Sequence, residues 1–379
     1  MMIYLDNNAT TRLDPRVLDA MLPYLTDQFG NPSSLHHFGS SVAAAIEEAR
    51  SAVARLIAAR DSEIIFTSGG TESNNTALHG VLAARPNKRH VVISAVEHHA
   101  ILEPADALAR SGVDVTRIGV DRQGRPDLAA LEAAIRPDTA LVSFMLANNE
   151  TGAIFPLREI SRIARSRGAL VHTDAVNAVG KMRVNVDELG VDLLSLSAHK
   201  LHGPKGVGAL YVRRTAPWRP FILGGPQERQ RRGGTLNAAG IIGLGRACEL
   251  MQAEQESHWP RIAALRDRLQ RELTSRFHAV HVMAGESPLV PNTLCVCFDG
   301  VSAEALVMLL SENSICVSSG AACASGSLEP SHVLQAMGIE PHIAQGQVRF
   351  SLSHETTDEE IDHALNVLPA LLQKVAALG

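Results

Sequence analysis

The sequence predicts an α/β fold: a large domain with a mainly parallel sheet wrapped by helices, followed by a smaller α+β domain. Three observations carry this. Short apolar runs alternate with helical patterns through the first two thirds of the chain. Several of those runs are apolar on both faces, as strands buried between two layers of helices must be. Near residue 255 the pattern changes to a charged helical stretch followed by alternating strands.

The elements follow in order. Asp14-Pro15 suits a helix start, because Asp caps the free N–H groups and Pro fits the first helical position. Val17, Leu18, Met21, Leu22 and Leu25 then share one face, the expected inward face. A second helix is expected over about 41–59, with Val42, Ile46, Ala49, Val53 and Leu56 inward. Strands are expected at 64–66, 91–93, 141–144, 170–172, 193–196 and 207–212. Beyond 254–276, which reads as a charged helix, strands are expected near 280–282, over 293–299 and over 347–352. The last helix starts at Thr357, with Glu360 completing a capping box. The expected division is a large domain at 15–255 and a small one at 256–379, to which residues 1–14 return.

Composition narrows the function classes. With 379 residues and 45% hydrophobic composition, the chain can bury a large core. A net charge of −5 at 20% charged residues gives no reason to expect nucleic acid or a membrane surface as partner. No apolar run reaches the length of a membrane span, and the N-terminus does not read as a secretory signal, so a cytoplasmic protein is expected. The cysteines are Cys248, Cys295, Cys297, Cys316 and Cys323. Their odd number and the lack of a C-x-x-C pair make reduced thiols the expectation. No metal site is expected: Cys295 and Cys297 alternate along a strand without further ligands to join them.

Three segments carry chemistry. Ser197-Ala198-His199-Lys200 follows a buried strand and places a lysine at the mouth of the sheet, where it could form a Schiff base. The same tetrapeptide also suits a polar surface loop. Asp174, in His172-Thr173-Asp174-Ala175, lies at another strand end, where ligands of open α/β sheets bind. A protonated pyridine nitrogen would partner a buried Asp there, and so would a helix start needing a cap. Ser68-Gly69-Gly70-Thr71 joins a strand to a helix, and its free N–H groups and hydroxyl make an anion seat or a plain turn. Together they are more telling: a phosphate cradle, an acid for a ring nitrogen and an amine for an aldehyde, each at its own strand end. That set matches pyridoxal 5'-phosphate (PLP). Separately, Cys323 sits in a segment, 318–327, made almost wholly of Ser, Gly and Ala. So little apolar anchorage predicts a mobile loop carrying a thiol that could visit a buried cofactor and then a partner.

With Tyr4-Leu5-Asp6-Asn7-Asn8-Ala9-Thr10-Thr11, Phe29-Gly30-Asn31-Pro32-Ser33-Ser34, Asn148-Asn149-Glu150-Thr151-Gly152, Ser318-Ser319-Gly320-Ala321-Ala322-Cys323 and Val348-Arg349-Phe350-Ser351, the chain resembles a cysteine desulfurase of the NifS/IscS group. That group lies in the class-V aminotransferase family, among the fold-type I PLP enzymes, and the resemblance covers nearly the whole chain. It implies a seven-stranded sheet in the large domain. It implies that Lys200 bonds PLP, Asp174 faces its ring nitrogen and His98 stacks on the ring and moves protons. Gly70, Thr71, Ser197 and His199 would bind the phosphate, and Thr235 would reach the phosphate of the neighbouring subunit in a homodimer. Asn149 and Arg349 would hold the substrate. The implied reaction takes sulfur from L-cysteine onto Cys323 as a persulfide, leaves L-alanine, and hands the sulfur to an acceptor such as an iron–sulfur scaffold protein.

The sequence departs from the group at three places. Asn177 stands where Gln usually contacts the PLP 3'-oxygen, so that contact is expected to be longer, water-mediated or absent. Pro226 replaces a more usual Gly or His. The last helix is followed closely by Gly379, where related enzymes carry a tail that helps dock a scaffold, which weakens the expectation of that partner. The rival readings are a selenocysteine lyase, an aminotransferase, and a non-catalytic sulfur-relay subunit; Cys323 speaks against the second, and the full set of site residues against the third.

Overall fold

The structure is a computed structural model that describes residues 2–277, 279–320 and 330–376. After strand β1 (Ile3–Tyr4) come helices α1 (Pro15–Leu25) and α2 (His37–Leu56). The central sheet is then laid down by β2 (Ile64–Thr67), β3 (His90–Ser94), β4 (Asp114–Ile118), β5 (Thr139–Ser143), β6 (Leu170–Asp174), β7 (Leu193–Ser197) and β8 (Gly208–Val212). Their spatial order is β2-β8-β7-β6-β5-β3-β4. Neighbours from β7 through β4 are parallel, whereas β8 runs antiparallel to both β7 and β2. Every residue of β2, β3, β5, β6, β7 and β8 is buried, which is why those strands read as apolar runs. The edge strand β4, Asp-Val-Thr-Arg-Ile, is half exposed and carries no such run, so the sequence did not announce it.

Helix α3 (Gly70–Ala84) follows β2, and α4 (His99–Arg110) follows β3. A second sheet pairs β9 (Val280–Val282), β10 (Thr293–Phe298), β12 (Ser318–Ser319) and β13 (Gln347–Ser351), all antiparallel, while β11 (Ile315–Cys316) takes β1 as a parallel partner. Ile3 and Leu5 join Leu294, Val296 and Phe350 in a core of their own. The 39-residue helix Ala238–Arg276 runs from one core to the other: Leu244 and Cys248 lie in the first, Leu265 and Leu269 in the second. No helix among the described residues is long and apolar enough to cross a membrane.

Caps fall where side-chain chemistry puts them. Asp14 accepts from the Arg16 N–H at 2.8 Å with Pro15 at the first helical position. Thr357 and Glu360 exchange their two bonds at 3.0 and 3.3 Å. The inward face expected of α1 is corrected: Val17 is buried, but Leu18, Leu22 and Leu25 are 41%, 45% and 60% exposed. Helix α1 packs along Ala238–Arg276 with one narrow stripe, leaving the rest of its apolar residues on the surface.

A buried ion pair fixes the segment between β8 and the long helix. Glu228 accepts from Arg50 at 2.7 and 2.8 Å and from the Phe66 N–H at 2.9 Å. Both side chains are nearly inaccessible, and Glu228, Arg229 and Gln230 hold left-handed backbone angles to bring the carboxyl inward. Replacing Glu228 with Ala leaves the buried Arg50 guanidinium with only the exposed Glu47, at 3.0 Å, and the Ile64 carbonyl, at 3.1 Å, as partners. The expected loss is about 3–5 kcal/mol of stability, read as a lower urea midpoint.

Candidate active site

The carboxyl ends of β2, β3, β5, β6 and β7 open on one cavity of about 350 Å³, a size that suits a cofactor or small ligand. Of the residues expected from sequence, Gly70, Thr71, His98 and Asn149 line it, as do Asp174, Asn177, Ser197, His199, Lys200 and Arg349. Thr235 does not: it is exposed and lies outside the cavity. Cys323 lies outside the described residues.

At one end sits the anion seat. Gly69 has φ +149° and ψ −174°, a conformation reserved for glycine, and it turns the chain from β2 into α3. The opening N–H groups of α3 lack intrahelical partners, as at any helix start, and the hydroxyls of Thr71 and Ser197 face the same space. Gly70 packs on Val176, whose Cγ2 would lie 2.7 Å from an added Cβ. His199 Nδ1 pairs with the Thr10 hydroxyl at 3.2 Å; burial, then the charges of Lys200 and Lys205, push its pKa down to about 4.

Deeper in, Asp174 terminates β6. Its Oδ2 accepts from Asn74 Nδ2 at 2.6 Å and its Oδ1 from the Val176 N–H at 2.9 Å, so both oxygens are held in place. His98 caps α4, its Nδ1 accepting from the Ala100 N–H at 3.0 Å, and it also faces the cavity. With Nδ1 an acceptor, the neutral ring carries its proton on Nε2. Burial lowers its pKa, the nearby Asp174 charge opposing. Lys200, in the turn after β7, donates from Nζ to the carbonyls of Ala9, at 2.9 Å, and Asn8.

At the far end Arg349 projects from β13. Its Nη1 donates to the Asn149 carbonyl at 3.0 Å and its Nη2 to Asp6 Oδ1 at 2.8 Å. Its buried Nε and the buried Asn74 Oδ1 have no hydrogen-bond partner among the described residues. Arg349 and Asn74 both line the cavity, whose polar wall fits a polar ligand.

Sequence reasoning missed several contributors. Lys181, fully buried, donates to Asn177 Oδ1 at 2.5 Å and Asn8 Oδ1 at 2.8 Å; burial, with Lys200 and Arg349 adding, pushes its pKa well below the usual lysine range. Asn177 also donates to the Asn148 carbonyl at 3.2 Å, so its amide is engaged on both sides by protein. A lysine inside the otherwise apolar stretch 178–182 was the available signal for Lys181. Asn74 had none, since only the fold sets it beside Asp174. No group of three or more metal-ligating side chains occurs among the described residues.

Behind the site, the His172 imidazole bridges the Ser143 hydroxyl on β5 at 2.8 Å and the Ser195 hydroxyl on β7 at 3.0 Å. Complete burial pushes its pKa down to about 3. Below pH 6.5 the unfolded chain binds this proton and the native chain does not. Stability is therefore unaffected by His172 above that pH, and falls as pH drops from 6.5 toward 3 by up to about 1.4 kcal/mol per unit. Denaturation measured across this range should show a shallower pH slope in His172→Gln.

Residues 3–364 match the model of the aminotransferase class-V family. A "Cysteine desulfurase" of Cereibacter sphaeroides is 53% identical over all of this chain and 97% of its own length. The "Cysteine desulfurase IscS" of Dictyoglomus turgidum is 48% identical over all of this chain and 96% of its own. Among solved structures, a "NifS-like protein" superposes with TM-score 0.92 at 39% identity, covering 99% of this chain and 100% of that one. A structure titled "SspA in complex with cysteine" gives TM-score 0.82 at 34% identity over 94% of this chain and 100% of that one.

Proposed function

The chain belongs to the aminotransferase class-V family, and from that premise we propose that it is a cysteine desulfurase, converting L-cysteine to L-alanine with its sulfur passed to Cys323 as a persulfide. One observation carries the reading. An anion seat, an anchored carboxylate and a lysine amine converge in one cavity, with a guanidinium at its far end.

These residues fit PLP. The α3 N-terminus with Gly70, Thr71, Ser197 and His199 would hold the phosphate, Asp174 the ring nitrogen, His98 the ring face and Lys200 the aldehyde carbon. Asn177, already bonded to Lys181 and Asn148, would bring a spare N–H toward the ring. When bound, PLP supplies an electron sink for the substrate's α-carbon. Arg349, which lines the far end of the cavity, would grip the substrate carboxylate through its guanidinium. Asn149 lies beside it. Lys200 Nζ would move the α-proton, and His98, its neutral-ring proton on Nε2, would be a second proton carrier at the cavity wall.

The Cys323 thiolate attacks the substrate sulfur. A Cys323–sulfur bond forms as the substrate's carbon–sulfur bond breaks; the electron pair of that bond stays with the substrate's β-carbon, which takes up the proton lost by the thiol, and alanine leaves. Cysteine and enzyme thiol thus become alanine and enzyme persulfide, with no external oxidant. A sulfur-acceptor protein, such as an iron–sulfur scaffold, then takes the terminal sulfur by thiol exchange. A reducing cytoplasm suits such a thiol.

The working unit is a homodimer. Thr235 is exposed and sits outside its own cavity, as a residue serving a neighbour's phosphate should. Arg232 pairs with Glu72 at 2.9 and 3.0 Å and so holds this segment against the start of α3. Leu18, Leu22, Leu25, Phe221 and Leu223 expose the apolar surface a second subunit would cover. Residues 15–255 form the cofactor domain, and 1–14 with 256–379 the domain bearing Arg349 and Cys323.

The test supplies L-cysteine to the purified protein and follows alanine by amino-acid analysis and Cys323 by non-reducing mass spectrometry. Equal amounts of alanine and Cys323 persulfide are expected. Cys323→Ala should keep its bound cofactor and form no persulfide, while Lys200→Ala should lose roughly a thousandfold in turnover. Sulfide release at the normal rate from Cys323→Ala would overturn the assignment.

A further inference from the structure

The segment that bears Cys323 leaves the described structure after Gly320 and re-enters it at Pro330-Ser331. Both ends meet at one buried cluster that the proposed chemistry leaves unused. The Ser331 hydroxyl donates to Glu150 Oε2 at 2.5 Å, and Gln347 Nε2 donates to the same oxygen at 3.0 Å. All three side chains are buried, at 6%, 6% and 1% exposure for Glu150, Ser331 and Gln347. Gln347 closes the other end as well. Its Oε1 would lie 1.6 Å from a Cβ added to Gly320, so Gly320 packs flat against this amide.

The cluster is tied to the cavity on every side. Glu150 and Gly320 both line it, and Gln347 lies on β13 two residues from Arg349. The Glu150 N–H donates to Asn148 Oδ1 at 2.9 Å, fixing its backbone in the same turn as Asn149. Ser331 also caps helix His332–Ala336, and His332 Nε2 bonds the Glu97 carbonyl, next to His98, at 2.9 Å. Ser318 and Ser319 are held by pairing with Arg349 and Val348.

We propose that Glu150 is a positioning residue that, through Ser331 and Gln347, clasps both ends of the cysteine-bearing segment at the substrate cavity and so sets the rate of sulfur transfer to Cys323. This rests on the desulfurase reading. Glu150 acts through Ser331 and Gln347, which hold the described ends of that segment. A burial this deep with two donors on one oxygen makes the clasp stiff, and misplacement by an ångström is enough to slow a transfer severely.

The experiment uses the PLP-loaded enzyme and reads two steps in a single turnover: the change in cofactor absorbance on adding L-cysteine, and the rise of persulfide on Cys323 by quenched mass spectrometry. Glu150→Gln and Ser331→Ala should capture substrate at the normal rate yet form persulfide roughly ten- to a hundredfold more slowly. The double variant should be no slower than Glu150→Gln, since both act on one cluster. Ser331→Thr keeps the hydroxyl and should restore the rate. Persulfide at the normal rate in both single variants, or capture slowed in the same proportion as transfer, would overturn the clasp. Failure of the unsubstituted enzyme to form Cys323 persulfide would overturn the desulfurase reading, and the clasp with it.

Discussion

One buried imidazole registers the strands on which the site depends. His172 lies in the middle of the central sheet and bonds a serine hydroxyl on each flanking strand. With both ring nitrogens engaged, sliding β5 or β7 by one residue would leave buried polar atoms without partners and turn every side chain over. The same three strands end in the Asn148 turn, Asp174 and the Ser197-to-Lys200 turn. The distances between acid, amine and substrate-side groups are thus consequences of a register locked a few ångströms behind them.

Charge is concentrated on the other side of those strand ends. Lys200 and Arg349 lie close enough to Lys181 to disfavour its charge, and the protein answers mostly with neutral oxygens: the carbonyls of Asn8, Ala9 and Asn149 and the side chains of Asn8 and Asn177. Asp6 is the acidic partner, held to Arg349 at 2.8 Å. A cavity so provided favours anionic ligands at both ends, and its acid at Asp174 is set apart, bonded to an amide and a backbone N–H. Segregating the charges in this way lets one cavity present an anion seat and a base side by side.

Much of this was legible in the sequence because it is local. Strand runs, strand-end polar residues and the glycine turn before Thr71 are each contained in a few consecutive positions. What stayed hidden depends on distant pairs. Glu150 and Ser331 are separated by 181 residues, and Asn74 meets Asp174 across 100; no periodicity encodes either. The face of α1 misled for a related reason: Leu18, Leu22 and Leu25 have the spacing of a core face, but periodicity reports apolar surface without saying what covers it. Strand β8 reads as one more parallel strand because burial, not direction, determines its composition.

The N-terminal strap has a consequence for synthesis. Residues 3–9 are made long before their partners: Ile3 pairs with Ile315, Asp6 bridges Ser351, and Asn8 bonds Asn292 and Thr293. Their carbonyls also hold the Lys200 amine. At ribosomal speeds of about 5–20 residues per second, the strap waits on the order of tens of seconds before its partners emerge. The central sheet can be complete by then, but the amine end of the pocket cannot. The site is therefore finished only once residues as far along as Ser351 have emerged, and a product truncated before them carries the sheet without its N-terminal strap in place.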